Sequence, residues 1–144
     1  MSAATDYLEN LLIDHLFRGI QHTAPTDWYV ALFTGAPSDA GGGTEITGGS
    51  YARVQVPCNS TNWRNTQNSG TGASSGTTGT TSNLLTVTFP VPSANWGTAT
   101  HFALMTAPTG GSVAMQGALN APKTINNSDP APSFPAGTLT ASLT

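Results

Sequence analysis

The fold class of this chain is indicated by one apolar stretch, Trp28-Tyr29-Val30-Ala31-Leu32-Phe33-Thr34. Successive side chains of a β-strand point to opposite faces of a sheet. In this stretch both alternating sets are apolar. The pattern therefore predicts a central strand that is buried on both of its faces.

Further strand patterns follow along the chain, with turn residues between them and no alternating helices. Pro90 restricts one of these strands to an edge or to its own end, because proline has no amide hydrogen to donate to a neighbouring strand. The pattern predicts an all-β fold, a β-sandwich or jelly roll of about seven or eight antiparallel strands. Strands are expected at residues 51–56, 85–91, 98–106, 112–119 and 138–144.

An N-terminal helix is predicted over residues 5–19, TDYLENLLIDHLFRG. Thr5 is the predicted N-cap and Gly19 the predicted stop. Leucines recur at helical spacing, and Phe17 widens the apolar surface. An apolar helix must dock on its own sheet or on a neighbouring subunit. The candidate assembly contacts are Leu8, Leu11, Leu12, Leu16 and Phe17.

The length of 144 residues suits one domain, residues 1–144, with the sandwich spanning 27–144. Within it, residues 59–83 form a long polar loop of Asn, Ser, Thr and Gly with one charge, Arg64. Such a composition is typical of disorder. We expect an exposed loop that orders, at least in part, on assembly.

Charge and composition exclude several partners and locations. The net charge is −3, with only 4 Lys and Arg, so we expect no nucleic-acid partner. No apolar run approaches membrane-spanning length, and no signal-peptide pattern is present, so we expect no membrane partner and synthesis in a cytoplasm. Cys58 is the single cysteine and is expected to pack as a small apolar residue.

The glycine-rich stretch at residues 35–50, GAPSDAGGGTEITGGS, resembles a phosphate-binding loop only in its glycines. A phosphate loop leads into a helix and carries a lysine. This stretch leads into a predicted strand, has no lysine, and contains Asp39 and Glu45, which would repel phosphate. We interpret both acids as solvated turn residues.

No pattern predicts a catalytic residue, a metal ligand or a cofactor. His15, His22 and His101 are scattered, and the GxSxG motif of acyl-transfer enzymes is absent. His101 is expected to be a partly buried, hydrogen-bonded histidine. The remaining candidates for binding are Trp63 and Trp96, which lie in loop-like sequence. Either could stack on a glycan, or pack in an interface.

Three segments carry a family resemblance: LLIDHLFRG, APTDWYVALFTGAPSDAGGGTEITGGSYARV and NWGTATHFALMTAPTGGSVAMQGALNAPKTINNSD. They resemble a family of small bacteriophage virion proteins labelled tail-fibre-like or structural, and similar β-sandwich proteins decorate capsids as cement proteins. The resemblance covers residues 8–56 and 95–143 and maps no catalytic residue. It implies a non-enzymatic structural protein of the virion, made in the host bacterial cytoplasm.

Two virion roles remain open. The chain shows no internal repeat of the kind that builds a fibre shaft, which favours capsid decoration. Similarity to other decoration proteins implies a homotrimer that binds the major capsid protein or other virion proteins. The alternative is a tail-fibre or adhesin subunit that contacts host surface glycans through Trp63 or Trp96.

Overall fold

The structure, a computed structural model, describes residues 2–143. Ten strands and one helix occur in that range. They are β1 (Ser2–Ala4), α1 (Asp6–Phe17), β2 (Asp27–Gly35), β3 (Thr44–Glu45), β4 (Val54–Pro57), β5 (Thr80–Ser82), β6 (Val87–Thr88), β7 (Gly97–Met105), β8 (Val113–Ile125), β9 (Ser133–Phe134) and β10 (Thr140–Ser142).

The predicted all-β class with one N-terminal helix is confirmed. The unpredicted strands β1, β3, β5 and β9 have two or three residues each. Strands this short are below the length at which alternation can be recognised in a sequence. They raise the number of strands above the expected seven or eight.

The strands form one large sheet and two small ones. The large antiparallel sheet has the order β1-β8-β7-β2-β3, and β4 also pairs with β2. The small sheets are β10-β5 and β6-β9. Val87 of β6 and Ala141 of β10 belong to the same hydrophobic cluster as Val30 and Leu32 of β2. Phe134 of β9 packs against this cluster, so the small sheets cover one face of the large sheet.

Strand β2 lies inside the large sheet and is buried on both faces, as its sequence predicts. Val30 and Leu32 belong to the larger hydrophobic cluster. Ala31 and Phe33 belong to a second cluster, with Ala103, Met105 and Val113. The separate clusters of even and odd residues show that the large sheet is packed on both of its faces.

Tyr51 completes the edge of β2 between two short partners. Strand β4 pairs with residues 27–30 of β2, and β3 pairs with Phe33 and Gly35. Between them, the Leu32 amide donates to the Tyr51 hydroxyl at 2.9 Å, and the Leu32 carbonyl accepts from the Ile46 amide at 3.0 Å. The predicted strand at 51–56 begins only at Val54, because Tyr51 reaches back to this gap with its side chain.

Two other predicted strands are shorter than their sequence pattern. In the 85–91 segment only Val87 and Phe89 are buried, while Leu85 and Val91 are exposed. Strand β6 therefore spans only Val87–Thr88. At the C-terminal end, Leu139 and Ala141 are buried and Leu143 is exposed. In both segments the alternating apolar residues continue past the end of the short strand that pairs with the segment, and the outer ones are exposed.

The 59–83 loop is held by its own side chains. The Asn59 carboxamide oxygen accepts from the Thr61 and Asn62 amides at 3.0 and 3.1 Å. The Asn65 carboxamide oxygen accepts from the Gln67 and Ser69 amides in the same way. Although its composition is typical of disorder, the loop forms a series of local turns, because Asn and Ser side chains bond to nearby backbone groups.

Candidate assembly surface

Helix α1 is fastened to the sheet at its first turn. The Thr5 amide donates to the Ala114 carbonyl at 3.0 Å, and the Thr5 hydroxyl donates to the Val113 carbonyl at 2.5 Å. The Asp6 amide donates to the Asp39 carbonyl at 3.0 Å. The prediction that the Thr5 side chain caps the helix is wrong, because its hydroxyl bonds to β8 instead.

The rest of the helix is poorly covered, and none of its described residues is buried. Of the predicted assembly residues, Leu8, Leu11 and Leu12 are half-buried, and Leu8 packs against the larger core cluster. Leu16 and Phe17 are 66% and 82% exposed. The predicted residues therefore divide into an inner group that contacts the chain itself and an outer pair that faces solvent. No helix in residues 2–143 is long and apolar enough to cross a membrane.

The outer pair belongs to a larger apolar group, here called the α1 patch: Ile13, Leu16, Phe17 and Ile20. Ile13 and Ile20 are 49% and 43% exposed. The helix ends at Phe17, Gly19 just beyond it has a φ of +70°, and the Ile20 amide donates back to the Asp14 carbonyl at 3.0 Å. This bond holds Ile20 against the helix end. Sequence reasoning missed Ile20, although its i+7 spacing from Ile13 could have revealed it.

Beside the helix lies a cavity of about 640 Å³, here called the α1 cleft. Leu8 and Leu12 line it from the helix, and Trp28, Leu104 and Met115 line it from the large sheet. The 59–83 loop supplies another wall, mostly from Asn, Ser, Thr and Gly residues, and Cys58, Ala141 and Leu143 complete the lining. The cleft thus combines an apolar interior with a hydroxyl- and amide-rich wall.

Trp63 and Arg64 stand in this wall. The Arg64 Nη1 donates to the Asn68 carboxamide oxygen at 2.7 Å. The Nε of Arg64 and the Nε1 of Trp63 are buried without a hydrogen-bond partner among the described residues. An unpaired buried N–H group costs about 1–3 kcal/mol, and both atoms are shielded from solvent within this wall.

Trp96, the other predicted binding tryptophan, lies in the core and is 5% exposed. Its Nε1 donates to the Gly49 carbonyl at 2.8 Å, and its ring meets the Tyr51 ring edge-on at 5.3 Å. Of the two roles considered for this ring, glycan stacking and interface packing, neither is open to a side chain that is buried in its own core. The Asn-Trp-Gly context suggested a loop, but the tryptophan fills space beneath the glycine-rich stretch.

The glycine-rich stretch at residues 35–50 closes the fold rather than cradling a phosphate. Gly49 has a φ of +56°, and a Cβ atom there would stand 2.9 Å from the Trp96 Nε1. A Cβ atom on Gly43 would stand 2.8 Å from the Pro37 backbone nitrogen. These glycines are required by close backbone packing within the stretch and against the core.

Glu45 was predicted to be a solvated turn residue, and this prediction is wrong. It lies in β3 and accepts from the Arg53 Nε and Nη2, each at 2.7 Å, and from the Tyr51 hydroxyl at 3.0 Å. Arg53 also donates to the Ala107 and Gly110 carbonyls. The hydrogen bond to Glu45 raises the pKa of Arg53, and burial raises the pKa of Tyr51 above its usual value. These polar groups hold loops together.

The histidines and the cysteine form no reactive cluster. His101 is half-buried with its Nδ1 2.9 Å from the Thr100 hydroxyl, as predicted. The Nδ1 of His15 accepts from the His22 amide at 3.2 Å. Cys58 is half-buried at the cleft, and burial raises the pKa of its thiol. Within residues 2–143, no three His, Cys, Asp or Glu residues are placed to hold a metal ion.

Comparison with known proteins agrees with the resemblance found in the sequence. No curated protein sequence matches the chain. A family model described as "Podophage GP4 fiber I protein gp80" matches residues 3–142, which include α1, every strand residue except Ser2 and every residue of the cleft lining except Leu143. This chain therefore belongs to the podophage GP4 fiber I protein gp80 family and is a phage virion structural protein.

Proposed function

We propose that this chain is a non-enzymatic structural subunit of the phage fibre and that the α1 patch is its assembly contact. The family description supports the fibre placement. The observation that carries the assembly role is the exposure of Leu16 and Phe17, at 66% and 82%, on a helix whose first turn is bonded to the sheet. An assembly partner that covers the patch removes this apolar surface from water.

Burial of the patch contributes favourable free energy to assembly in a multivalent particle. Burial of one Leu, Ile or Phe side chain stabilises by about 1.5–3 kcal/mol. Four such side chains form the patch, although the loss of translational and rotational freedom offsets part of their sum. Repeated contacts between several copies strengthen attachment further.

The polar chemistry of the chain supports a structural role. Glu45, Arg53 and Tyr51 form a closed network, and their side chains bond to each other or to backbone amide and carbonyl groups. The Arg53 and Glu45 side chains are only 7% and 22% exposed. A substrate would have to break these bonds to reach them.

Capsid decoration as a homotrimer is the competing virion role and places the same patch against the major capsid protein. Gold labelling of a tagged copy in purified virions separates the two. We expect label on the fibres, and label over the head would refute the fibre placement.

Virions that carry Leu16→Lys with Phe17→Lys should lose the protein, whereas Leu85→Lys, a change at a residue 58% exposed, should leave it in place.

Adhesion to host glycans through Trp63 is a second candidate, favoured by the unpaired indole N–H beside a hydroxyl-rich wall. Sugar rings stack on tryptophan through their C–H faces. If the chain is an adhesin, Trp63→Ala should abolish binding to host polysaccharide and Trp63→Phe should keep most of it. Binding that Trp63→Ala leaves intact would eliminate this role.

A further inference from the structure

We propose that the α1 cleft of one copy receives the α1 patch of a second copy, so that the chain assembles with itself by a helix-in-groove contact. The inference rests on the proposed function only in that both use the α1 patch. It assigns the partner of the patch and the occupant of the cleft.

The spacing of the patch suits an inserted helix. Helices that lie in apolar grooves present anchors at positions i, i+3, i+4 and i+7. Ile13, Leu16 and Phe17 follow the first three positions of this spacing. Ile20 lies past the helix end, where the bond from its amide to the Asp14 carbonyl keeps it beside the other anchors. All four side chains are exposed, so their own chain leaves them free to insert.

The size and lining of the cleft suit such anchors. Clefts of about 300–1,000 Å³ bury bodies the size of a drug molecule, which corresponds to a few apolar side chains. The α1 cleft has about 640 Å³ and is lined by Leu8, Leu12 and Trp28 among other apolar residues. The patch cannot fill the cleft of its own chain, because it begins at Ile13, beyond the two leucines that form the wall, and stays exposed.

The charges of the two surfaces are complementary. Arg64 is the one charged residue among those described as lining the cleft. Over residues 6–18 the helix and its C-cap carry three carboxylates, on Asp6, Glu9 and Asp14. The one lysine or arginine in this range is Arg18, which donates to Asp14 at 2.7 Å and leaves a net charge of −2. The carboxylates of Asp6 and Glu9 are not paired with Arg18, so they are attracted to the positive charge that Arg64 brings to the cleft.

Because patch and cleft are different surfaces, every contact between copies pairs one patch with one cleft. Two copies can exchange patches around a two-fold axis, or copies can join head to tail and close into a ring. In both arrangements a variant without a patch still offers its cleft, and a variant without a cleft still offers its patch. The two variants should therefore complement each other.

The test uses the full chain and measures association by sedimentation velocity across a range of concentrations. The patch variant is Leu16→Lys with Phe17→Lys, in which lysine suits the negative C-terminal end of a helix. The cleft variant is Ser60→Trp, which places a large side chain at an exposed loop residue that lines the cleft. Arg64→Glu is a second cleft variant, which reverses the charge and leaves the cleft open. Leu85→Lys is the matched control for an exposed leucine.

We expect the wild-type chain and Leu85→Lys to associate equally. The patch variant should raise Kd by about 100- to 10,000-fold, because it removes a Leu and a Phe and each contributes about 10- to 100-fold on burial. Each cleft variant should also raise Kd. An equimolar mixture of the patch variant and Ser60→Trp should regain a two-chain complex. Near-ultraviolet circular dichroism identifies any variant that fails to fold, and Arg64→Glu then takes the place of Ser60→Trp.

Three results would overturn the proposal. They are a wild-type chain that stays monomeric, cleft variants that associate like wild type, and a mixture that shows no complex. Host polysaccharide that binds the cleft of monomeric wild type and is lost in Ser60→Trp would assign the cleft to a glycan instead. Labelling of the virion is independent of all these results, so the fibre placement and the self-contact can fail separately.

Discussion

Replacement of Tyr51 by phenylalanine tests whether one hydroxyl group holds the edge of the large sheet. In the wild-type chain this hydroxyl accepts from the Leu32 amide at 2.9 Å and donates to Glu45 at 3.0 Å. Leu32 is 3% exposed, so water cannot replace the lost acceptor. An unsatisfied buried N–H group costs about 1–3 kcal/mol, and the lost bond to the carboxylate adds to it. We therefore expect Tyr51→Phe to lower the free energy of unfolding by about 2–3 kcal/mol.

The phenylalanine ring keeps the contacts with Phe89 and Trp96, whose centroids lie 6.2 and 5.3 Å from that of Tyr51. The loss is therefore due to the hydroxyl alone. Urea denaturation followed by tryptophan fluorescence measures it as a lower midpoint at unchanged slope. Tyr7→Phe, at a tyrosine 42% exposed, is the matched control and should change stability by less than about 0.5 kcal/mol. A Tyr51→Phe variant as stable as this control would refute the role of the hydroxyl.

Three further predictions follow from other contacts. Gly49→Ala should destabilise by about 1–3 kcal/mol in urea melts, because its Cβ would meet Trp96 at 2.9 Å, while Gly48→Ala, with open space around it, should cost less; equal losses would contradict the packing argument. Burial raises the pKa of Tyr51 in the folded state, so the neutral phenol contributes its full stabilisation below pH about 10, and the free energy of unfolding should fall above that pH. In alkaline melts Tyr51→Phe should show a shallower fall than the wild-type chain. Thr5→Val should lower stability by about 1–2 kcal/mol in thermal or urea melts by removing the donor to β8, and an unchanged variant would show that the backbone bond alone anchors the helix.

The elements that local pattern determines were predictable. Two-sided apolar alternation at residues 28–34 specified β2 as a central strand, since side-chain direction along a strand depends only on position. Helical spacing and Gly19 likewise specified α1 and its end. The alternation at 98–106 corresponds to β7, and that at 112–119 to the first part of β8. In each case the deciding information lies within about a dozen neighbouring residues.

The candidate site was predictable only in part. Leu16 and Phe17 were recognised as apolar helix residues, but their exposure depends on how little of the sheet α1 covers. Trp63 and Trp96 have similar loop-like neighbours, and one lines the cleft while the other fills the core. The α1 cleft brings together residues from positions 8 to 143, a separation that no local pattern encodes.

The amino-acid sequence by itself determined the β class, the central strand, the helix and the absence of recognised catalytic motifs. Only the tertiary structure decided that Glu45 pairs with Arg53, that Trp96 is buried beneath Gly49, and that a cleft opens beside an exposed helix patch. The physical reason is that periodicity sets which way a side chain points relative to its own element. What it meets there depends on the packing of elements that are distant along the chain.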